Sequence, residues 1–224
     1  MQTLQAQIGS VNADRQRTGK VIELAPGVEL TCFTMAFSRN EEIFAEEETA
    51  DFVYKLISGA VRDVRVLDDG RRQVGAFHLA GDVFGLECGE THRYSAEAVV
   101  DCEIALVRRS VLERAVLADG AAACKLWNLT SRDLQRLQDH LLLLGRKSAA
   151  ERVISFLVDL AGRLNRSSVI DLPMSRSDIA DYLGLTIETV SRTLTQLERD
   201  RAIAMPSSRR IVLQARLEAL SEAV

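Results

Sequence analysis

The sequence predicts an α+β chain in three parts: a run of antiparallel strands, a long helix with a dimerisation seam and a C-terminal helix-turn-helix. Three observations carry this reading. Residues 28–111 alternate apolar and polar side chains between glycine-marked turns. From Trp127 to Leu144 apolar residues return at coiled-coil spacing. Residues 173–198, PMSRSDIADYLGLTIETVSRTLTQLE, read as two short helices around a tight turn. At 224 residues and 47% hydrophobic content, the chain has enough apolar side chains for separate cores.

Residues 1–27 are polar, rich in Gln and charge, and close on Pro26-Gly27, so they read as a flexible N-terminal arm. Over 28–112, segments such as AVRDVRV, RQVGAFHL and CEIALV are broken by Gly59, Asp69-Gly70, Gly81-Asp82 and Gly85, which predicts antiparallel strands. Asp69-Gly70 between two alternating runs marks a hairpin. The third segment, 113–146, is helical in period. Trp127, Thr130, Leu134, Leu137, Leu141 and Leu144 step by three and four residues and form a seam for a second copy of the chain. Leu142 and Leu143 supply a second apolar face to pack on the roll.

The fourth segment, 147–224, holds the helix-turn-helix. Ser175 is placed to cap the first helix by accepting from the amide of Asp178, an acid favoured in a first turn. Ile179, Ala180 and Leu183 share one face, Gly184 suits a left-handed turn, and Thr186 caps the second helix. Val190, Leu194 and Leu197 then bury against the first helix, which leaves Glu188, Ser191 and Arg192 outward within one turn. In a major groove Arg192 could donate two parallel bonds to guanine, Glu188 could accept from a base amino group, and Ser191 is short enough to approach a base edge. The competing reading of Glu188 and Arg192 is a plain i,i+4 surface ion pair. Residues 202–213, AIAMPSSRRIVL, read as a wing of two short strands. Backbone contacts are expected from Arg176, Ser177, Thr186, Thr189, Arg209 and Arg210.

The spacing Glu188-x-x-Ser191-Arg192 behind SRSDIADYLGLTIETV resembles the Crp/Fnr superfamily of bacterial transcription regulators, more closely its Fnr/FixK branch. GAVRDVRVLDDGRRQVGAFHLAGDVFGLE at 59–87 is similar to the glycine-punctuated roll of that superfamily, and LLLLGRKSAAERVISFLVDLA at 141–161 to its hinge and first DNA-domain helix. The resemblance implies a cyclic-nucleotide-binding-like β-roll of jelly-roll type, a long dimerisation helix, a winged helix-turn-helix and a homodimer on double-stranded DNA. It further implies a palindrome of the TTGAT-N4-ATCAA type, contacts with RNA polymerase, and control of microaerobic or nitrogen-fixation genes. The chain departs from two sensor types of the superfamily. The cassette that holds a cyclic nucleotide in some members is FGLECGETHRYSAEAV here, with Leu86 after Gly85 and Tyr94 between Arg93 and Ser95. The N-terminal cysteine cluster of iron–sulfur members is missing from the first 31 residues. The FixK type without cofactor is the reading these departures favour.

Cys32, Cys88, Cys102 and Cys124 are dispersed, with Cys32 and Cys102 in alternating strand patterns and Cys88 and Cys124 at more accessible positions. His78, His92 and His140 form no metal-binding spacing, and no nucleophile–base constellation indicates an enzyme. Residues 148–224 carry ten basic and ten acidic side chains, so the net charge of −4 lies before them, and affinity for DNA must come from placed contacts doubled by dimerisation. No continuous apolar run reaches membrane length, and the chain is expected to be cytoplasmic. Two other classes are compatible: a ligand-gated regulator with a small anion or nucleotide in the roll, and a protein-interaction module whose helix-turn-helix serves only packing.

Overall fold

The computed structural model describes residues 19–164 and 168–214. The chain divides into two compact units, one built from residues up to Arg65 with Phe77–Arg132, the other from Val66–Ala76 with the residues from Asp133 onward.

Strands β1 (Lys20–Ala25), β2 (Val28–Phe37), β3 (Glu42–Phe44), β4 (Phe52–Ser58), β5 (Ala60–Val66), β6 (Arg72–Leu79), β7 (Val83–Phe84), β8 (Ser95–Ala98) and β9 (Cys102–Arg108) form two sheets, which belong to the first unit except for the β5–β6 hairpin tip, Val66–Ala76. Their orders are β1-β2-β9-β4-β7 and β3-β8-β5-β6. Side chains alternate across each strand, and on β4 and β9 both faces are buried. Phe52, Tyr54, Leu56, Ile104 and Leu106 join Phe37, Phe44, Val61 and Ala96 in the core between the sheets. Val53, Ala105 and Val107 face the opposite way, into a second core with Leu24, Leu30, Leu112 and Ala122. Gly59 turns β4 into β5 at φ 94°, and a Cβ there would lie 2.6 Å from the carbonyl oxygen of Asp101, so only glycine fits.

Helix α1 (Arg109–Ala118) is followed by α2 (Gly120–Arg146). The expected single helix over 113–146 is therefore two helices. They are separated at Asp119, which is extended and whose carboxylate accepts from the Ala121 amide at 2.9 Å, capping α2. The face of α2 that packs in the first unit also differs from expectation. Ala122, Leu126 and Leu129 join the second core, whereas Leu142 is exposed and only Leu143 of that pair is buried. Part of the arm expected over 1–27 is a strand instead. Lys20–Ala25 pair with β2 from Lys20↔Cys32 to Ala25↔Val28, because Leu24 and Ala25 have a core to enter. Residues 1–18 lie outside the described residues, as do 165–167 and 215–224 of the expected DNA-binding segment.

The second unit contains α3 (Ala149–Arg163), β10 (Val169–Asp171), α4 (Arg176–Leu183), α5 (Ile187–Arg199), β11 (Ile203–Ala204) and β12 (Arg210–Leu213). A capping box starts α3: Ser148 Oγ accepts from the Glu151 amide, and the Glu151 carboxylate accepts from the Ser148 amide at 2.6 Å. The wing has three strands in the order β10-β12-β11. The two expected strands pair through Ile203↔Leu213, and β10 adds Ile170↔Ile211 on the far side.

Candidate nucleic-acid interface

Local chemistry builds the helix-turn-helix. Ser175 Oγ accepts from the Asp178 amide at 3.1 Å, while Asp178 Oδ2 accepts from the Ser175 amide at 3.0 Å and hydroxyl at 2.7 Å. Gly184 is left-handed at φ 60°, ψ 41°, and its N–H donates to Ala180 O. Thr186 Oγ1 accepts from the Thr189 amide at 3.2 Å and so caps α5. Val190, Leu194 and Leu197 are buried on the inner face of α5.

On the outer face, Glu188 and Arg192 are exposed and Ser191 is half-buried. Neither Glu188 nor Arg192 has an ion-pair or hydrogen-bonding side-chain partner among the described residues, so the i,i+4 pair is not formed between them here. A guanidinium without an internal partner is available to a groove, where two parallel donors match the guanine edge. The remaining expected contacts are less uniform. Ser177 is exposed at the start of α4, and Arg176 is half-buried beside it. The Thr186 hydroxyl lies 3.1 Å from that of Thr189, so each already has a partner. On the wing, Arg209 reaches Pro173 O at 3.4 Å, and Arg210 Nε lies 3.7 Å from Asp171 Oδ1.

The seam of α2 is largely unpartnered in one chain: Trp127 is 73% exposed, and Leu134, Leu137 and Leu141 are each exposed by 52% or more. Thr130 is exposed with them, its hydroxyl donating back to Trp127 O at 3.0 Å. Leu144 is half-buried instead and lies against the turn, where a Cβ on Gly184 would come 3.5 Å from its Cδ2.

Several residues that the sequence did not single out hold this arrangement. Arg152 donates from Nε to Lys147 O at 2.9 Å, from Nη2 to Leu144 O at 2.9 Å and from Nη1 to Leu183 O at 3.0 Å. One cation thus serves the carbonyl ends of α2 and α4, where helix dipoles favour positive charge. His140 stacks on Tyr182 with ring centroids 4.1 Å apart. Burial pushes the Tyr182 hydroxyl up to about 12. Burial also holds the His140 imidazole below its ordinary value, and its Nδ1 is enclosed without a hydrogen-bond partner. The sign of the resulting pH effect is fixed. Below about pH 6.5 the unfolded histidine takes up a proton that the folded one refuses until lower pH, so stability present above that value is lost as pH falls. Thermal melting at stepped pH should show this slope, and His140→Phe, which keeps a ring on Tyr182, should flatten it.

In the first unit, the FGLECGETHRYSAEAV stretch folds around its own side chains. His92 Nδ1 lies 2.8 Å from Glu87 Oε2, and the buried imidazole stacks on Phe44 at 3.6 Å. Burial opposes ionisation of Glu87, but the hydrogen bond and charge of His92 outweigh it and hold the carboxyl below the usual carboxylate range. Arg93 is exposed. Cys32 and Cys102 are buried and Cys88 and Cys124 exposed. Burial pushes the Cys102 thiol up to about 11, away from thiolate reactivity. Among the described residues no three His, Cys, Asp or Glu side chains are grouped as metal ligands, and no helix is long and apolar enough to cross a membrane.

A capped helix pair with an open polar face and a three-stranded wing defines a winged helix-turn-helix DNA-binding protein. Residues 151–223 match the Crp-like helix-turn-helix domain, and residues 34–119 match the cyclic nucleotide-binding domain. The chain is 56% identical to the nitrogen fixation regulation protein FixK of Azorhizobium caulinodans over 80% of its length and 75% of that relative's. It is 44% identical to FixK of Rhizobium meliloti over 78% and 80%. The solved structure of FixK2 from Bradyrhizobium japonicum superposes with a TM-score of 0.82 at 50% identity, covering 85% of this chain and 98% of that one. The chain belongs to the Crp/Fnr family of transcription regulators, in its FixK branch.

Proposed function

We propose that the protein is a homodimeric, cytoplasmic transcription activator that binds a TTGAT-N4-ATCAA-type palindrome without a cofactor and controls nitrogen-fixation or microaerobic genes. The observation that carries this is the outward trio Glu188, Ser191 and Arg192 on a helix whose opposite face is fully committed to packing. Arg192 pairs with guanine in each half-site, with Glu188 and Ser191 beside it. Arg176, Ser177, Thr186, Thr189, Arg209 and Arg210 meet phosphate. The exposed leucines of α2 support two copies in parallel, which a two-fold DNA site requires. The similarity to FixK proteins supports the gene class, and activation requires a surface for RNA polymerase.

Selection of bound duplexes from a random pool, using purified protein with nothing added, tests the reading. Enrichment of the stated inverted repeat supports it. Enrichment of another sequence removes the palindrome. No enrichment until a small anion or nucleotide is supplied favours a ligand-gated regulator.

A further inference from the structure

The tip of the β5–β6 hairpin belongs to the same compact unit as the helix-turn-helix. Arg72 Nη2 donates to Asp178 Oδ1 at 2.6 Å, and its Nε donates to Asp181 Oδ2 at 2.8 Å. Next to it, Gln73 Nε2 donates to the backbone oxygen of Asp181 at 2.8 Å. These partners are 106 to 109 residues apart in sequence, yet they engage both ends of one short helix. Asp178 closes the capping box with Oδ2 and receives the hairpin with Oδ1. The Asp181 carbonyl is one of the last four of α4, which have no partner inside the helix.

We propose that Arg72 and Gln73 are positioning residues for DNA binding: they fix α4, and through the Gly184 turn the recognition helix α5, in the pose that meets DNA. A helix of eight residues does not hold its own geometry in water, so its orientation is set by what grips it. The grip also has a direction. It uses Asp178 and Asp181, which no expected DNA contact uses, and leaves Ser177, Glu188 and Arg192 exposed. A contact that blocked DNA would cover those residues. The guanidinium further offsets two carboxylates on the helix beside the expected phosphates, where uncompensated negative charge would repel DNA. The inference rests on the chain's being a DNA-binding regulator and does not depend on the palindrome proposed above.

The test uses the full-length protein and a duplex that the parent itself recovers from a random pool, so failure of the palindrome and failure of the grip are separate results. Binding by fluorescence anisotropy, scaled to the folded fraction, is expected to weaken on the order of tenfold for R72A/Q73A, with the dimer mass of the parent and a lower melting temperature, since buried Asp178 loses its cation. Arg72→Lys, which can serve only one carboxylate well, falls between them. Asp181→Asn decides between grip and field. Removing a negative charge near phosphate tightens binding if only the field matters, whereas the grip predicts several-fold weakening and faster hydrogen exchange in α4. If R72A/Q73A does not fold, Q73A and D181N, both at partly exposed residues, carry the test. D181N binding as tightly as the parent or tighter, or a loss that vanishes when scaled to the folded fraction, overturns the proposal.

Discussion

Arg192→Ala is expected to cost about 1–3 kcal/mol per half-site, because it removes a bidentate donor from a base edge and replaces it with nothing. At roughly tenfold per 1.4 kcal/mol, that is a loss of about 5- to 140-fold for each recognition helix, compounded where both helices are engaged. The loss should be confined to binding. Arg192 is exposed and has no side-chain partner among the described residues, so melting temperature should not move. It should also be confined to one base pair. Titrating the variant against duplexes with each half-site position changed in turn should show preference relaxed at the position Arg192 reads and kept elsewhere. Arg209→Ala gives the contrast: a side chain that only neutralises phosphate, once removed, weakens binding to all sequences alike and lowers the salt slope by about 1. Arg192→Lys should recover little, since an ammonium is a point charge and does not offer the planar fork. A variant that bound the selected duplex as tightly as the parent would remove Arg192 from the base-reading set.

The helix-turn-helix was legible in the sequence because nearly everything that builds it is local. Ser175 to Asp178, Gly184 to Ala180 and Thr186 to Thr189 are turns and caps that close within four residues, and Val190, Leu194 and Leu197 repeat at the helical period. The wing strands β11 and β12 were legible for the same reason, with a Pro-Ser-Ser turn between them. Strand β10 was not. Its three residues pair with β12 some forty residues later, through Ile170↔Ile211, and carry no period of their own. Strand β1 was hidden by composition: only its last two residues are buried, so it reads as a polar arm until β2 is placed beside it. The break at Asp119 has a local signal, an Asp-Gly step, but it lies inside a stretch of helical period. Side-chain grips were the least legible of all. Arg72 with Asp178 and Asp181 joins charges that, in sequence, look like solvated turn and helix residues. Arg152 looks like one more helix cation until three carbonyls converge on it.

Leu137→Asp is expected to give a monomer and, with it, the largest loss of DNA binding. Leu137 sits mid-seam and is 52% exposed in the single chain, so the substitution removes nothing from either core. Its effect falls on the dimer. Burying a leucine contributes about 1.5–3 kcal/mol, the loss occurs in both copies, and two carboxylates then face each other across the two-fold axis in a medium that disfavours even one. Circular dichroism and melting of each unit should be retained while sedimentation shows half the mass. Affinity for the palindrome should drop by on the order of 10²–10⁴, the factor that linking two sites supplies, and what remains should be the weak, salt-sensitive binding of a single neutral domain. Gln135→Asp, on the same helix but pointing away from the seam, adds the same charge and serves as the control; it should leave mass and affinity unchanged. Equal loss in both variants would assign the effect to charge near DNA, and a dimeric Leu137→Asp protein would move the dimer contact off this face of α2.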